Sequence, residues 1–412
     1  MMQGLPPEHA AMRQFVVADG ELCVGGVPLS RLTTRVGRTP FFAYDRALVT
    51  RRIAELRAAL PKSVEIHYAM KANPMPAVVD HIAPRVDGLD VASAGELATA
   101  LDSGADPCHI SFAGPGKRDA ELEQAVAAGI LVNIESFREV DALAAISGRT
   151  GWPARVAVRV NPDFELKSSG MKMGGGPKQF GIDAEQVPKL LEMIASARLA
   201  FEGFHLFAGS QNLSAEAICE AQNRSFDLAV RLARHAPSPV VFLNLGGGFG
   251  IPYFPGEAHL DIAPIGRNLE TIAQRAGDAL PGARIVIELG RYIVGEAGIY
   301  VCRIVDRKIS RGLPYLVTDG GLHHHLAASG NFGQVIRKNY PVAVGNRMSD
   351  ADREVASVVG PLCTPLDVLA DRMSLARAEP GDLIVVFQSG AYGATASPQR
   401  FLGHPSALEV LV

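Results

Sequence analysis

Val64-Glu65-Ile66-His67-Tyr68-Ala69-Met70-Lys71-Ala72-Asn73-Pro74 is an apolar run of strand length that ends in a lysine and is then broken by Asn-Pro. Such a run reads as a β-strand with Lys71 at its C-terminal end. A solvated lysine is an ammonium and a poor nucleophile. One partly desolvated at a strand end can lose its proton and form an imine with a carbonyl cofactor. A surface lysine that merely closes a strand is the plainer alternative.

Working outward from this run, the chain keeps a regular beat. Ala-rich stretches with helical spacing fall at 47–59, 95–103, 119–128, 137–146, 185–196, 215–236 and 269–279. Between them lie short apolar strand candidates at 88–91, 110–112, 131–134, 154–160, 199–207, 240–245 and 285–289. About eight β-then-α units over roughly 250 residues is what a closed barrel requires, and a doubly wound sheet gives the same alternation. The barrel is the favoured reading. After Arg291 the pattern turns β-rich, at 298–303, 315–318, 355–360 and 383–387, with Gly/Pro turns and little helix. The expected architecture is therefore α/β: a (β/α)8 TIM-like barrel over 41–290 and a C-terminal antiparallel β domain over 291–412. Short N-terminal strands within 1–40 are expected to join the β domain.

Bulk properties bound the function. At 412 residues the chain exceeds the size at which a single core stops growing, which predicts two domains. A formal charge of −3 leaves no basic footprint for nucleic acid or for an acidic membrane surface. Cys23, Cys108, Cys219, Cys302 and Cys363 are scattered, with neither CxxC pairing nor Cys/His ligand spacing. No apolar run reaches the ~20 residues that span a bilayer, and the N-terminal segment lacks the pattern of a secretory signal. These features point to a cytoplasmic protein with small-molecule or protein partners.

Two later strand ends add chemistry to Lys71. In Leu243-Asn244-Leu245-Gly246-Gly247-Gly248-Phe249-Gly250, a glycine cluster follows a strand, where bare backbone N–H groups can close around a phosphate. A tight turn would use the same glycines. In Ile285-Val286-Ile287-Glu288-Leu289-Gly290-Arg291, a strand ends in a carboxylate that can keep a pyridine nitrogen protonated, or that pairs with Arg291 to close the strand. Asp90, Arg159, His205 and Ser210 also sit at or just beyond predicted strand ends.

The segments YAMKAN, LDVASAGEL, RVNP, FHLFAGSQ, LNLGGGFG, IELGRY, GPLCTPLD and SGAYG occur here in the order found in the fold-type III, pyridoxal-phosphate-dependent decarboxylases, the ornithine and diaminopimelate decarboxylase family. The resemblance covers nearly the whole chain. It implies pyridoxal 5'-phosphate as cofactor and Lys71 as the internal-aldimine lysine, with Glu288 on the pyridine nitrogen. Ser210, Gly247, Gly248, Gly290, Arg291 and Tyr392 would surround the phosphate, with Asp90, Arg159 and Phe207 also at the cofactor. Cys363 matches the cysteine that reprotonates the carbanion across a head-to-tail homodimer interface, a task suited to a thiol.

The departures concern the substrate. Where the family has a histidine stacked on the pyridine ring, this chain has Phe207, with His205 two residues earlier and, by strand alternation, on the same face. The arginine, tyrosine and acidic residue with which diaminopimelate decarboxylases clamp the distal amino-acid centre are missing. Their places fall in Thr318-Asp319-Gly320-Gly321-Leu322-His323-His324-His325-Leu326 and at Thr364. Asp319, His323 and Thr364 are the candidate substrate contacts. Adjacent strand residues face opposite ways, so the histidine run is not read as a metal site. By its LHHHLAASGNFGQV and FAGSQN segments the chain is similar to exosortase-associated decarboxylases and to the butirosin-type enzyme that acts on an aminoacyl carrier protein.

The activity expected from the resemblance is α-decarboxylation of an amino acid, free or carrier-tethered, through Lys71, with Cys363 or Lys71 returning the proton and His205 as a further catalytic candidate. Diaminopimelate or ornithine/lysine decarboxylation is one alternative. A racemase of the alanine racemase class and a non-catalytic cofactor-binding homologue are two others. The basic, Gly-rich segment 164–181 reads either as a lid over the barrel mouth or as a surface excursion.

Overall fold

The computed structural model describes residues 8–164, 171–172 and 174–412, and the chain divides into two compact units. One comprises Arg51–Ile251 and Leu260–Tyr292; the other comprises the chain up to Thr50, Pro252–His259 and Ile293–Val412. Part of the 164–181 segment lies outside the described residues.

The first unit is a closed barrel of eight parallel strands. In order around the barrel these are Val64–Ala69, Gly88–Val91, Ile110–Phe112, Leu131–Ile134, Arg155–Asn161, Ala200–Leu206, Phe242–Gly247 and Arg284–Leu289. The last pairs back on the first, Ile285 opposite Val64 and Leu289 opposite Tyr68. Strands covered on both faces are nearly continuous apolar runs, which is why each stands out in the sequence. The helices between them begin where local chemistry caps them. Ser93 Oγ accepts the Glu96 amide at 3.2 Å while Glu96 accepts the Ala92 amide at 2.7 Å, so Ala94–Asp102 starts directly after its strand. Pro76 opens Pro76–Ile82, a seven-residue helix too short and proline-punctuated to be read from periodicity. Helix Ala263–Ala279 begins six residues before the expected 269, because Asp261 accepts the Ala263 amide and Pro264 fits its first turn.

Within the barrel, residues alternate between the helices and the axis. Leu131, Ala157, Phe242 and Val286 form an apolar cluster. The remaining interior is unusually polar: His67, Asp90, Ser111, Asn133, Arg159, His205, Asn244 and Glu288 are all buried. Charged groups that deep must be paired or serve a purpose.

The second unit holds an eight-stranded, mostly antiparallel sheet built from Phe41–Tyr44, Gly298–Ser310, Leu313–Thr318, Val342–Val344, Arg353–Val359, Val368–Ala376, Leu383–Val386 and Leu408–Leu411. Two pairings are parallel, Leu313–Thr318 with Arg353–Val359 and Leu408–Leu411 with Phe41–Tyr44. Phe41–Tyr44, inside the 41–290 span expected for the barrel, pairs instead with Gly298–Ser310 in this sheet; all four of its residues are buried. The N-terminal strands Val17–Ala18, Glu21–Val24 and Val27–Pro28 form a separate three-stranded sheet within the unit instead of extending the large one. Leu22, Val24, Leu29 and Leu32 nevertheless share a core with Phe41, Ile299, Val301 and Val385. Helix Leu29–Val36 was not expected; Leu29, Leu32 and Thr33 are its buried residues, and Gly37, at φ +92°, ends it. Among the described residues, no helix is long and apolar enough to cross a membrane.

Candidate active site

The C-terminal ends of the barrel strands bring most of the candidates together. Lys71 lies in the single turn Met70–Ala72 that follows strand Val64–Ala69. Asn73 N–H donates to Met70 O at 3.0 Å, and Tyr68 Oη donates to Asn73 O at 2.8 Å, which fixes that turn. The Lys71 side chain is 43% exposed, and its Nζ stands 3.3 Å from Oε1 of Glu288, itself 4% exposed. His205 Nε2 lies 3.1 Å from the other oxygen, Oε2. Burial opposes ionisation of Glu288, but the Lys71 ammonium, His205 and Arg159 outweigh it and hold the carboxyl far below the usual range. A buried carboxylate kept charged this firmly at a barrel mouth is suited to hold a proton on a partner nitrogen.

Phe207 is buried beside it, with Lys71 Nζ 5.5 Å from the ring centroid. Both residues of the His205/Phe207 pair therefore face the site: the histidine addresses the carboxylate and the phenyl ring lies by the lysine. Both ring nitrogens of His205 are buried without a hydrogen bond of good geometry among the described residues, Nε2 making only its close approach to Glu288. Arg159 pairs with His205 in register and donates from Nη1 to Glu135 at 3.0 Å, with Phe180 under its guanidinium. Glu135 also accepts the amides of Gly114 and Gly181. No motif in the sequence singled out Glu135, although its place one residue beyond strand Leu131–Ile134 matches that of the other site groups. Asp90 sits beside Ala69 in register, two residues from Lys71.

The glycines form a cradle in which side chains are physically excluded. A Cβ on Gly247 would collide with the Glu288 carbonyl, and one on Gly248, at φ +73°, with Gly209 O next to Ser210. At Gly290 it would meet Ala69 O at 2.9 Å, on the strand that leads to Lys71. Arg291 follows at the start of helix Arg291–Val294. An amine to attach a carbonyl, a fixed carboxylate, an aromatic face and a side-chain-free cradle suit a phosphorylated pyridine aldehyde.

Tyr392, Cys363, Thr364, Asp319 and His323 belong to the other unit. Cys363 is exposed in a turn pinned by the buried Asp367, whose Oδ2 accepts the Leu362 amide at 2.8 Å and whose Oδ1 accepts the Leu322 amide at 2.6 Å. One carboxylate thus ties the turn before Cys363 to the turn before His323. Asp319 accepts the Arg303 amide at 2.8 Å and the Thr39 hydroxyl. His323 is buried with its ring 3.7 Å from that of His324 and 4.9 Å from that of His404. His324 is set between Tyr300 Oη and Pro405 O, and His325 between the Ala328 amide and Ser389 Oγ. Tyr392 has φ +55°, a backbone strain at a non-glycine residue of the kind found at constrained sites.

A family model described as "Pyridoxal-dependent decarboxylase, pyridoxal binding domain" matches residues 46–295. The chain is 38% identical to the L-glutamyl-[BtrI acyl-carrier protein] decarboxylase of Niallia circulans, over 93% of this chain and 90% of that one. It is 33% identical to the diaminopimelate decarboxylase of Aquifex aeolicus, over 96% of this chain and 91% of that one. Among solved structures, diaminopimelate decarboxylase from Helicobacter pylori complexed with L-lysine superposes with a TM-score of 0.82 at 26% identity, covering 93% of this chain and 94% of that one.

Proposed function

This chain belongs to the pyridoxal-dependent decarboxylases, and from that premise we propose that its substrate is an aminoacyl group borne on a carrier protein. The observation that carries this reading is the neutral substrate loop. Across 319–328 there is no arginine or lysine, and the one carboxylate, Asp319, is engaged by Arg303 N–H and Thr39. His324 and His325 spend their nitrogens on Tyr300, Pro405, Ser389 and the Ala328 amide. A free diamino acid brings a charged distal end that needs an ionic partner in the protein. An acyl group joined through a thioester brings none, and the 38% identity to a carrier-protein decarboxylase supports the same choice.

The enzyme's cofactor is pyridoxal phosphate, which supplies an electron sink that lets the bond from Cα to a carboxylate break. Lys71 provides the amine that attaches it. Glu288, kept ionised by its neighbours, holds a proton at the pyridine nitrogen, and His205 fixes the second carboxylate oxygen so that the first stays aimed. Phe207, buried beside Lys71, would offer the cofactor ring an apolar face that excludes water. Gly247, Gly248 and Gly290, with Ser210 and Arg291, would receive the phosphate. Cys363 would return a proton to Cα from the partner subunit of a homodimer.

Carbon dioxide release is to be measured with glutamyl-loaded carrier protein and, in parallel, with free glutamate, diaminopimelate, lysine and ornithine. The proposal expects turnover on the tethered substrate at least about 100-fold above any free amino acid, a difference of roughly 2.8 kcal/mol in transition-state binding. Efficient consumption of free diaminopimelate would replace this reading with that of a diaminopimelate decarboxylase.

A further inference from the structure

His67 is a buried titratable residue for which the reaction outlined above has no use. It lies on the strand that delivers Lys71, four residues earlier, with its side chain 2% exposed. The barrel makes room for it: Gly88 stands opposite in register, and a Cβ there would meet the imidazole carbon Cε1 at 2.6 Å. Both ring nitrogens address carboxylates, Nδ1 towards Asp90 Oδ1 at 3.4 Å and Nε2 towards Glu65 Oε2 at 3.5 Å. A neutral imidazole would turn a lone pair on one of those anions, so the geometry calls for the imidazolium. Glu65 is held on its other side by Arg284 at 3.1 Å, and Arg284 Nη1 lies 3.4 Å from His109 Nδ1. Arg284, Glu65, His67 and Asp90 therefore alternate in charge along the barrel interior, with the Phe242 ring 6.2 Å from that of His67.

The chain continues across the next strands. Ser111 Oγ donates to Asp90 Oδ1 at 2.5 Å and accepts from Asn133 Nδ2 at 3.2 Å. With Oδ1 taken by His67 and Ser111, Oδ2 of Asp90 is left buried without a hydrogen-bond partner among the described residues. Asp90 stands level with Ala69, two residues before Lys71. Buried polar atoms in native proteins are nearly always paired, and a carboxylate whose first oxygen is already held by two neighbours is set up to receive a partner on its second.

We propose that His67 is a positioning residue that acts through Asp90: clamped between Glu65 and Asp90, it holds the Asp90 carboxylate turned so that Oδ2 is presented beside the cofactor attachment point at Lys71. The proposal rests on the pyridoxal phosphate reading of this site. Burial opposes the charge on His67, but Asp90 and Glu65 outweigh it and raise its pKa to about 9.

The test is a double-mutant cycle on the full chain, with His67→Asn, His67→Phe, Asp90→Asn and the His67→Phe/Asp90→Asn double variant. Two quantities are read: pyridoxal phosphate affinity, and the pH at which the absorbance of the lysine-bound cofactor changes. Either His67 substitution is expected to weaken affinity about tenfold and shift that midpoint, as loss of a charge-assisted hydrogen bond would. In the Asp90→Asn background, His67→Phe is expected to do nothing further. Additive effects, or a change in melting temperature with affinity and midpoint untouched, would overturn the proposal. An independent arm uses the cofactor-free protein: the His67 ring proton is followed by NMR from pH 5 to 10, and Asp90→Asn is expected to lower its midpoint. An unchanged midpoint sinks the Asp90 link. Failure of the wild-type chain to bind pyridoxal phosphate would instead count against the cofactor reading, and the NMR arm would still decide the role of His67.

Discussion

Lys71 Nζ and Oε1 of Glu288 stand 3.3 Å apart at the mouth of the barrel, joined by no covalent neighbour and brought there by two strands that pair directly. The same carboxylate takes His205 on its other oxygen at 3.1 Å. Replacing Glu288 with glutamine keeps the shape and removes the charge on which the pyridine nitrogen's proton depends. Turnover should fall by about 10²–10³, in line with loss of a preorganised electrostatic partner, while cofactor attachment to Lys71 persists. Steady-state rates together with borohydride reduction, which should still fix cofactor to Lys71, check both halves. A fall of less than tenfold would remove Glu288 from its assigned role.

Gly247 offers a sharper structural test. A methyl group at this position meets the Glu288 carbonyl directly, and backbone cannot retreat as a flexible side chain can. Gly247→Ala should lose pyridoxal phosphate affinity by more than tenfold and destabilise the protein by about 1–3 kcal/mol. Fluorescence titration with the cofactor and a urea melt measure the two effects. Normal affinity in the alanine variant would place the phosphate elsewhere.

Much of this arrangement is legible in the sequence, for a definite reason. A barrel strand is buried on both faces, so 88–91, 110–112 and 131–134 appear as short apolar runs broken only by one inward polar residue each, Asp90, Ser111 and Asn133, and the groups at their ends mark the mouth. Phe41–Tyr44 looks the same locally, yet joins the other sheet because its partners, Gly298–Val301 and Leu408–Leu411, are distant in sequence. Strand Val368–Ala376 escaped notice because exposed Asp371 and Arg372, the latter at φ +47°, interrupt its alternation. Glu135 and His67 were invisible for another reason. Each matters through the residue it holds, Arg159 or Asp90, and no local spacing records that.

Asp367 is expected to control the Cys363 turn. Both of its oxygens accept backbone N–H groups, one from Leu322 and one from Leu362, and Gly321 and Gly360 stand so close that any side chain would strike the carboxylate. In Asp367→Asn an amide NH2 must face an N–H donor, at a stability cost of about 1–3 kcal/mol. The Cys363 turn should loosen, so its thiol should react faster with a maleimide while Lys71 still binds cofactor. Unaltered labelling and unaltered stability would mean that the bridge does not hold the turn.

Acid sensitivity follows from His325. Its ring is fully buried, Nδ1 accepts the Ala328 amide, and Nε2 donates to Ser389 Oγ, so the native state holds it neutral. Burial lowers its pKa from 6.5 to about 3. Above pH 6.5 neither the folded nor the unfolded chain protonates this ring and its full contribution to stability is present. As pH falls from 6.5 towards 3, the unfolded chain binds a proton that the folded chain refuses, so stability drops by up to about 1.4 kcal/mol per pH unit. His325→Gln can keep a donor towards Ser389 while removing the titration. Thermal unfolding at pH 7, 6, 5 and 4 should therefore show a shallower acid slope in the variant, and parallel slopes would mean that His325 takes up a proton without leaving its place.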